Sequence, residues 1–212
     1  MIDIIDSYAR LPMGSYGDII KIDRTEGMDV DDKQVKIISI LTGMDEMDIL
    51  NLPIPEYRLL AARSQFIYAA PTSPSRIAKS YRIGGYELIP TTDMRKVTAA
   101  QYIDFQSFHN AGMEEHFAEI ISCILIPKGK IYQQGYDVLE IHKAIREEMT
   151  VLVGCSLYAF FLHSCKKSMK DILSSSLRDV RRMKDKEKAR VLKTEIRQQL
   201  MALSSDGAGL PM

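Results

Sequence analysis

The sequence predicts a mostly α fold: a helical bundle with one small β-hairpin at about residues 81–89. Three observations lead there. Apolar residues recur at helical spacing through most of the chain. Acidic or hydroxyl residues stand just ahead of several of these runs, and Gly or Pro just after them. Only one stretch, Tyr81 to Pro90, shows short aromatic-rich segments on either side of a Gly-Gly pair.

In chain order, residues 11–22 combine a Pro/Gly turn with a short apolar segment, and an acidic connector follows from Asp23 to Asp32. Asp31 and Asp32 stand where an N-cap and first-turn acids belong, ahead of Val35, Ile37, Ile38, Ile40 and Leu41, and Gly43 is placed to close that helix. Asp45 to Leu50 reads as a short helix stopped by Pro53, and Glu56 to Tyr68 as its successor. Residues 69–80 hold two prolines and three serines and read as a linker. After the hairpin, Thr98 caps a helix through Phe108, Glu114 to Ile126 forms another ended by Pro127, and Asp137 opens one reaching about Glu148. A long buried helix starts near Thr150 and passes Met169, and Leu177 to Leu203 is a basic amphipathic helix.

The expected division is therefore an N-terminal helical part over 1–68, the linker over 69–80, a hairpin plus helical core over 81–176, the basic helix over 177–203 and a flexible tail over 204–212. The helices of the N-terminal part and of 98–165 are expected to form one body, with the hairpin as an appendage.

With 212 residues, 46% apolar and 26% charged, the chain can bury a core and is not of disordered composition. Trp is absent and Met reaches 12, a stock of flexible side chains for irregular cores or adaptable contact faces. The zero net charge hides a dipole. Residues 1–165 carry 16 Lys and Arg against 22 Asp and Glu, a balance of −6, whereas residues 166–198 carry 12 against 5, a balance of +7. Three cysteines, Cys123, Cys155 and Cys165, have no paired spacing and suit a reducing compartment. The opening residues, Met1 to Asp6, hold two acids and no basic stretch, so no secretory signal is expected. The longest apolar run, Val151 to Cys165, is shorter than the roughly 20 residues of a membrane span, so no membrane partner is expected.

No catalytic, cofactor-binding or metal-binding residue is assigned. Pro127-Lys128-Gly129-Lys130 lacks the upstream glycine and the following Ser/Thr of a phosphate loop, and Gly14-Ser15-Tyr16-Gly17 is one residue short of a nucleophile elbow. His109, His116 and Cys123 are spaced by seven residues, about 10 Å apart on a straight helix and too far to share one ion. The candidate contact residues lie in the basic helix: Arg178, Arg181, Arg182, Lys184, Lys188 and Arg190. They suit a protein partner through an apolar stripe or, in a second reading, nucleic acid. The segment offers no aromatic side chain for base stacking and is interrupted by acids.

Four segments occur in a suggestive order: Leu11 to Tyr16; Leu41-Thr42-Gly43-Met44-Asp45 with Leu52-Pro53-Ile54; Tyr81 to Tyr86 with Thr98 to Phe105; and Ile124 to Lys130 with Tyr136-Asp137-Val138. This succession over residues 10–165 resembles small proteins of tailed-bacteriophage morphogenesis clusters, the tail assembly chaperone and small virion protein group. The resemblance implies a non-enzymatic phage assembly protein acting by contacts with other phage structural or tail proteins, in the host cytoplasm during assembly. The alternatives are a structural virion subunit such as a neck or tail ring adaptor, with homo-oligomerisation, and a DNA-binding or packaging-associated protein.

Overall fold

A computed structural model describes residues 2–71, 76–113, 115–180 and 186–205. The fold is mostly α with a small antiparallel sheet. The described residues divide into two compact units, one within Met1–Thr91 and Lys96–Ala159, the other within Thr92–Arg95 and Phe160–Met212.

The first unit places Pro12, in extended conformation, in an isolated antiparallel bridge with Thr150, ahead of helix α1 (Met13–Arg24). The segment expected to be a turn is thus helical from Met13. Gly14 lies on the buried face, where a Cβ would sit 3.0 Å from the carbonyl oxygen of Arg146, so this glycine serves close packing rather than chain reversal. Helix α2 (Val30–Thr42) starts two residues earlier than expected, because the Asp29 carboxylate accepts the backbone N–H of Asp31 at 2.8 Å. Asp31 and Asp32 then occupy the first turn, where the helix dipole favours carboxylates. Gly43, at φ 71°, ends the helix as its residue type predicts. Asp45 caps α3 (Glu46–Leu50), and α4 (Ile54–Ser64) follows Pro53 and runs into a 3₁₀ turn, Gln65–Tyr68. Of the expected linker, residues 72–75 lie outside the described residues, and the remainder has no regular structure.

Strands β1 (Tyr81–Ile83) and β2 (Tyr86–Pro90) form the hairpin, with Tyr81 opposite Leu88 and Ile83 opposite Tyr86. Gly84 and Gly85 take φ of 56° and 77°, the positive values a tight hairpin turn needs. A third strand, β3 (Leu125–Pro127), pairs antiparallel with β2, setting Leu88 opposite Pro127 and Pro90 opposite Leu125. It corrects the helix expected over 114–126: α6 covers Phe117–Ile124 only, and Glu114 lies outside the described residues. An apolar run does not by itself separate a buried helix from a buried strand. In addition, Pro127 disfavours helical geometry at the residue before it. The hairpin is no appendage. Ile83 and Leu88 are buried, the Gly84 N–H donates to the Glu148 carboxylate at 3.0 Å, and the Tyr86 hydroxyl donates to Glu140 at 2.6 Å. Both acids belong to α7 (Val138–Glu148), opened by Asp137 as predicted.

Helix α5 (Ala99–Gly112) begins with a capping box between Thr98 and Gln101 and runs four residues beyond Phe108. The core of this unit gathers Ile19, Ile37, Ile38, Leu41, Ile49 and Leu88 with Ile120, Ile121 and Ile124 of α6. The start of α8 (Val151–Val180) joins them through Leu157 and Tyr158. In the second unit, α8 continues from Phe160, and the Cys165 sulfur touches Met94 of a 3₁₀ turn at 3.6 Å. The helix expected over 177–203 is divided differently: residues 177–180 end α8, and α9 spans Lys186–Ser205. Residues 181–185 and the tail residues 206–212 lie outside the described residues. Among the described residues, no helix is long and apolar enough to cross a membrane.

Candidate functional site

Of the six contact residues the sequence singles out, Arg178 is exposed near the end of α8, and Lys188 and Arg190 are exposed on α9. Arg181, Arg182 and Lys184 lie outside the described residues. Lys188 and Arg190 are two positions apart, so a helix turns them to different faces. The spacing that builds a common face is four, three and four: Lys186, Arg190, Lys193 and Arg197. At 100° per residue these four fall within about 60° of arc. Leu200 borders that arc on one side and Met201 on the other, while Ile196 and Leu192 lie about 60° and 100° round from its edge. Leu192 is 38% and Met201 73% exposed. The result is a basic stripe with apolar margins, carrying a balance of +3 over α9 (five basic residues, two acidic). Contact-residue selection by charge alone missed Lys186, Lys193 and Arg197. The 3.6-residue period of the same segment contains them.

A second surface has the opposite charge and lies in the first unit. On α3, Met47 and Leu50 stand three residues apart, each 62% exposed, while Ile49 between them is buried. Ile54, at the start of α4, is 67% exposed. Asp45, Glu46, Asp48 and Glu56, interleaved with these aliphatic residues in the sequence, are all exposed. Lys36 of α2 pairs with Glu46 at 2.8 Å, and the Gln34 amide donates to the Ser64 hydroxyl at 2.9 Å, tying α2 to α3 and α4. Tyr57 of α4 lies near the first turn of α2. Its phenol is pushed up first by burial and then by the Asp31 carboxylate. Residues 23–56 hold nine acids against three bases, a balance of −6. An exposed apolar patch with predominantly acidic neighbours has the composition of a contact surface.

Chemistry-bearing side chains elsewhere are tied into the fold. Gln101, buried, donates its amide to the Cys123 carbonyl at 2.6 Å and to the Thr91 hydroxyl at 3.1 Å. Asp104 accepts the Tyr132 hydroxyl at 2.9 Å and the Gln133 amide at 2.6 Å on one oxygen. Burial, more than its hydrogen bonds, pushes the Tyr132 phenol up. Burial raises the thiols of Cys123, Cys155 and Cys165 to about 11 each, which keeps them protonated and poorly nucleophilic near neutral pH.

Of the spaced His and Cys residues, His109 lies on α5 with its ring against Phe105 and Tyr158, and His116 packs its ring against Phe108 ahead of α6. Cys123 faces Tyr132 at 3.4 Å. Among the described residues, no group of three or more His, Cys, Asp and Glu is arranged to hold a metal ion. Among the described residues, the buried side-chain atoms His109 Nδ1, Glu119 Oε2 and His142 Nε2 lack a hydrogen-bond partner. Burial pushes His142 below its ordinary value, against the opposing pull of Glu119 and Asp104.

In the second unit an open groove of about 850 Å³ runs between the 92–95 segment and α8, lined by Arg95, His163, Lys167 and Asp171 among others. The Arg95 guanidinium is already paired with Asp93 at 2.9 Å. Among the described residues, these two charged surfaces with exposed aliphatic side chains stand out. Comparison of the chain with protein-family models, with curated proteins and with solved structures finds no match.

Proposed function

We propose that this chain is a bacteriophage assembly protein that acts by binding other proteins rather than by turnover, most like a tail assembly chaperone working in the host cytoplasm. The observation that carries the reading is the aliphatic surface left in water beside charge: Met201 at the edge of the basic stripe of α9, and Met47, Leu50 and Ile54 among the acids of α3 and α4. Aliphatic side chains held at such positions give up hydration on binding, and the flanking charge orients the encounter. Helical partners with exposed apolar stripes, such as other tail proteins before they assemble, are recognised in this mode.

A second reading, a ring subunit of the neck or tail that stays in the virion, is favoured by the separation of an acidic and a basic surface on one chain. Such a layout suits head-to-tail contacts. The basic stripe would also neutralise phosphates, but it has no aromatic side chain on which to stack bases.

Quantitative mass spectrometry of infected cells and of purified particles tests the assignment. An assembly factor is expected to be abundant in the lysate and absent or substoichiometric in particles. A fixed copy number per particle would replace it with the ring subunit. Tight, salt-sensitive DNA binding that disappears on reversing Arg178 and Arg190 would replace both.

A further inference from the structure

We infer that α9 of one copy of this chain docks on the acidic face of α3 and α4 of a second copy, giving a head-to-tail contact. The inference names the partner of the two surfaces described above, and so rests on the reading of this chain as a contact-making protein.

The two surfaces match in charge and in kind. Lys186, Arg190, Lys193 and Arg197 present four cations on one stripe about 17 Å long, three turns of α9. Asp45, Glu46, Asp48 and Glu56 present four carboxylates within twelve consecutive residues. Each set has exposed aliphatic neighbours: Met201, 73% exposed, at the edge of the basic stripe, and Met47, Leu50 and Ile54, at 62%, 62% and 67%, interleaved in sequence with the acids. Charge alone would make a weak, screened contact, and aliphatic burial alone would not set its direction. Together they provide affinity and register.

A second copy is the partner to which the charges point. The chain as a whole is neutral because the acidic and basic regions cancel, so every copy supplies both halves of the contact in equal amount. The donor and acceptor surfaces are different patches, which makes the contact heterologous. It closes into a ring or grows into an open chain according to the rotation between copies.

Sedimentation velocity on the full chain over a range of concentrations tests this. The wild type is expected to associate as concentration rises, and raising the salt from low to about 0.5 M should weaken association by roughly tenfold or more. Two charge-reversed variants sharpen the test. K186E/R190E/R197E carries an acidic α9, and D48K/E56K turns the four carboxylates of α3 and α4 into two carboxylates and two ammonium groups. Asp45 and Glu46 are spared because one caps α3 and the other pairs with Lys36. Each variant alone is expected to stay monomeric, and an equimolar mixture to associate, because the native arm of one variant meets the native face of the other.

A wild type that is monomeric at every concentration would overturn the inference, as would association that ignores salt or survives either reversal. Charge complementarity satisfied within one copy would appear as the monomeric outcome. Far-UV circular dichroism establishes that the variants fold, and the concentration and salt dependence of the wild type decides the matter even if one does not. A negative result here would leave the particle measurement untouched, since that experiment does not depend on self-association.

Discussion

Gly84 and Gly85 sit side by side in the same turn and do different jobs. Both hold positive φ, at 56° and 77°, where an L side chain is strained by about 1–2 kcal/mol. A Cβ on Gly85 would meet open space. One on Gly84 would fall 2.5 Å from the Cβ of Ala144 in α7, a separation that forces backbone movement. Gly84→Ala therefore adds overpacking of about 1–3 kcal/mol to the conformational strain, whereas Gly85→Ala carries the strain alone. Urea denaturation of the two variants should show a markedly larger loss of midpoint for Gly84→Ala. Equal losses would mean that the hairpin does not rest on α7. The same logic applies at Gly14 and Gly154, where a Cβ would meet Arg146 and Met13. A glycine can mark a turn or a close approach, and its identity does not say which.

Between elements, Gln101 shows how one side chain joins local and long-range structure. Its side-chain oxygen accepts the Thr98 N–H, completing the capping box of α5, while its amide reaches the Cys123 carbonyl in the last turn of α6. Carbonyls at a helix C-terminus have no partner within the helix, so α5 supplies the bond that ends α6. Thr98→Ala removes one cap contact at about 1 kcal/mol. Gln101→Ala removes the rest of the box and also leaves a buried carbonyl without its donor, a further 1–3 kcal/mol or so. Thermal or urea unfolding should rank Gln101→Ala as clearly the more damaging. The reverse order would show that the Cys123 contact contributes little. At that end of α6 the chain passes straight into β3, whose existence depends on β2 being there to receive it.

Across the whole chain, stability is expected to be uneven. The first unit contains nearly all of the fully buried aliphatic side chains, while in the second only Phe161 and Val180 are as deeply covered among the described residues. All ten tyrosines fall within the first unit and the chain has no Trp, so near-UV circular dichroism and tyrosine fluorescence report chiefly on that unit. Far-UV ellipticity reports on both, because α9 and most of α8 belong to the second. A urea titration should therefore lose part of its helical signal before the tyrosine signal changes. Coincident transitions would show that the two units unfold as one.

The sequence by itself determined the class of the fold, the caps at Thr98 and Asp137, the stop at Gly43 and the hairpin at Gly84-Gly85. These are contests between a side chain and backbone groups a few positions away, and all the parties are visible in a short window. It also contained the basic stripe, because helical period alone aligns Lys186, Arg190, Lys193 and Arg197. The tertiary structure decided the rest. Leu125 to Pro127 became a strand only because β2 offers an open edge. Gly14 became a packing contact only because Arg146 lies against it. The acidic face formed only when α2, α3 and α4 were brought together, with Asp31 set beside Tyr57. Each of these outcomes depends on a neighbour distant along the chain, and a pattern read over a few residues holds no information about which distant surface will arrive.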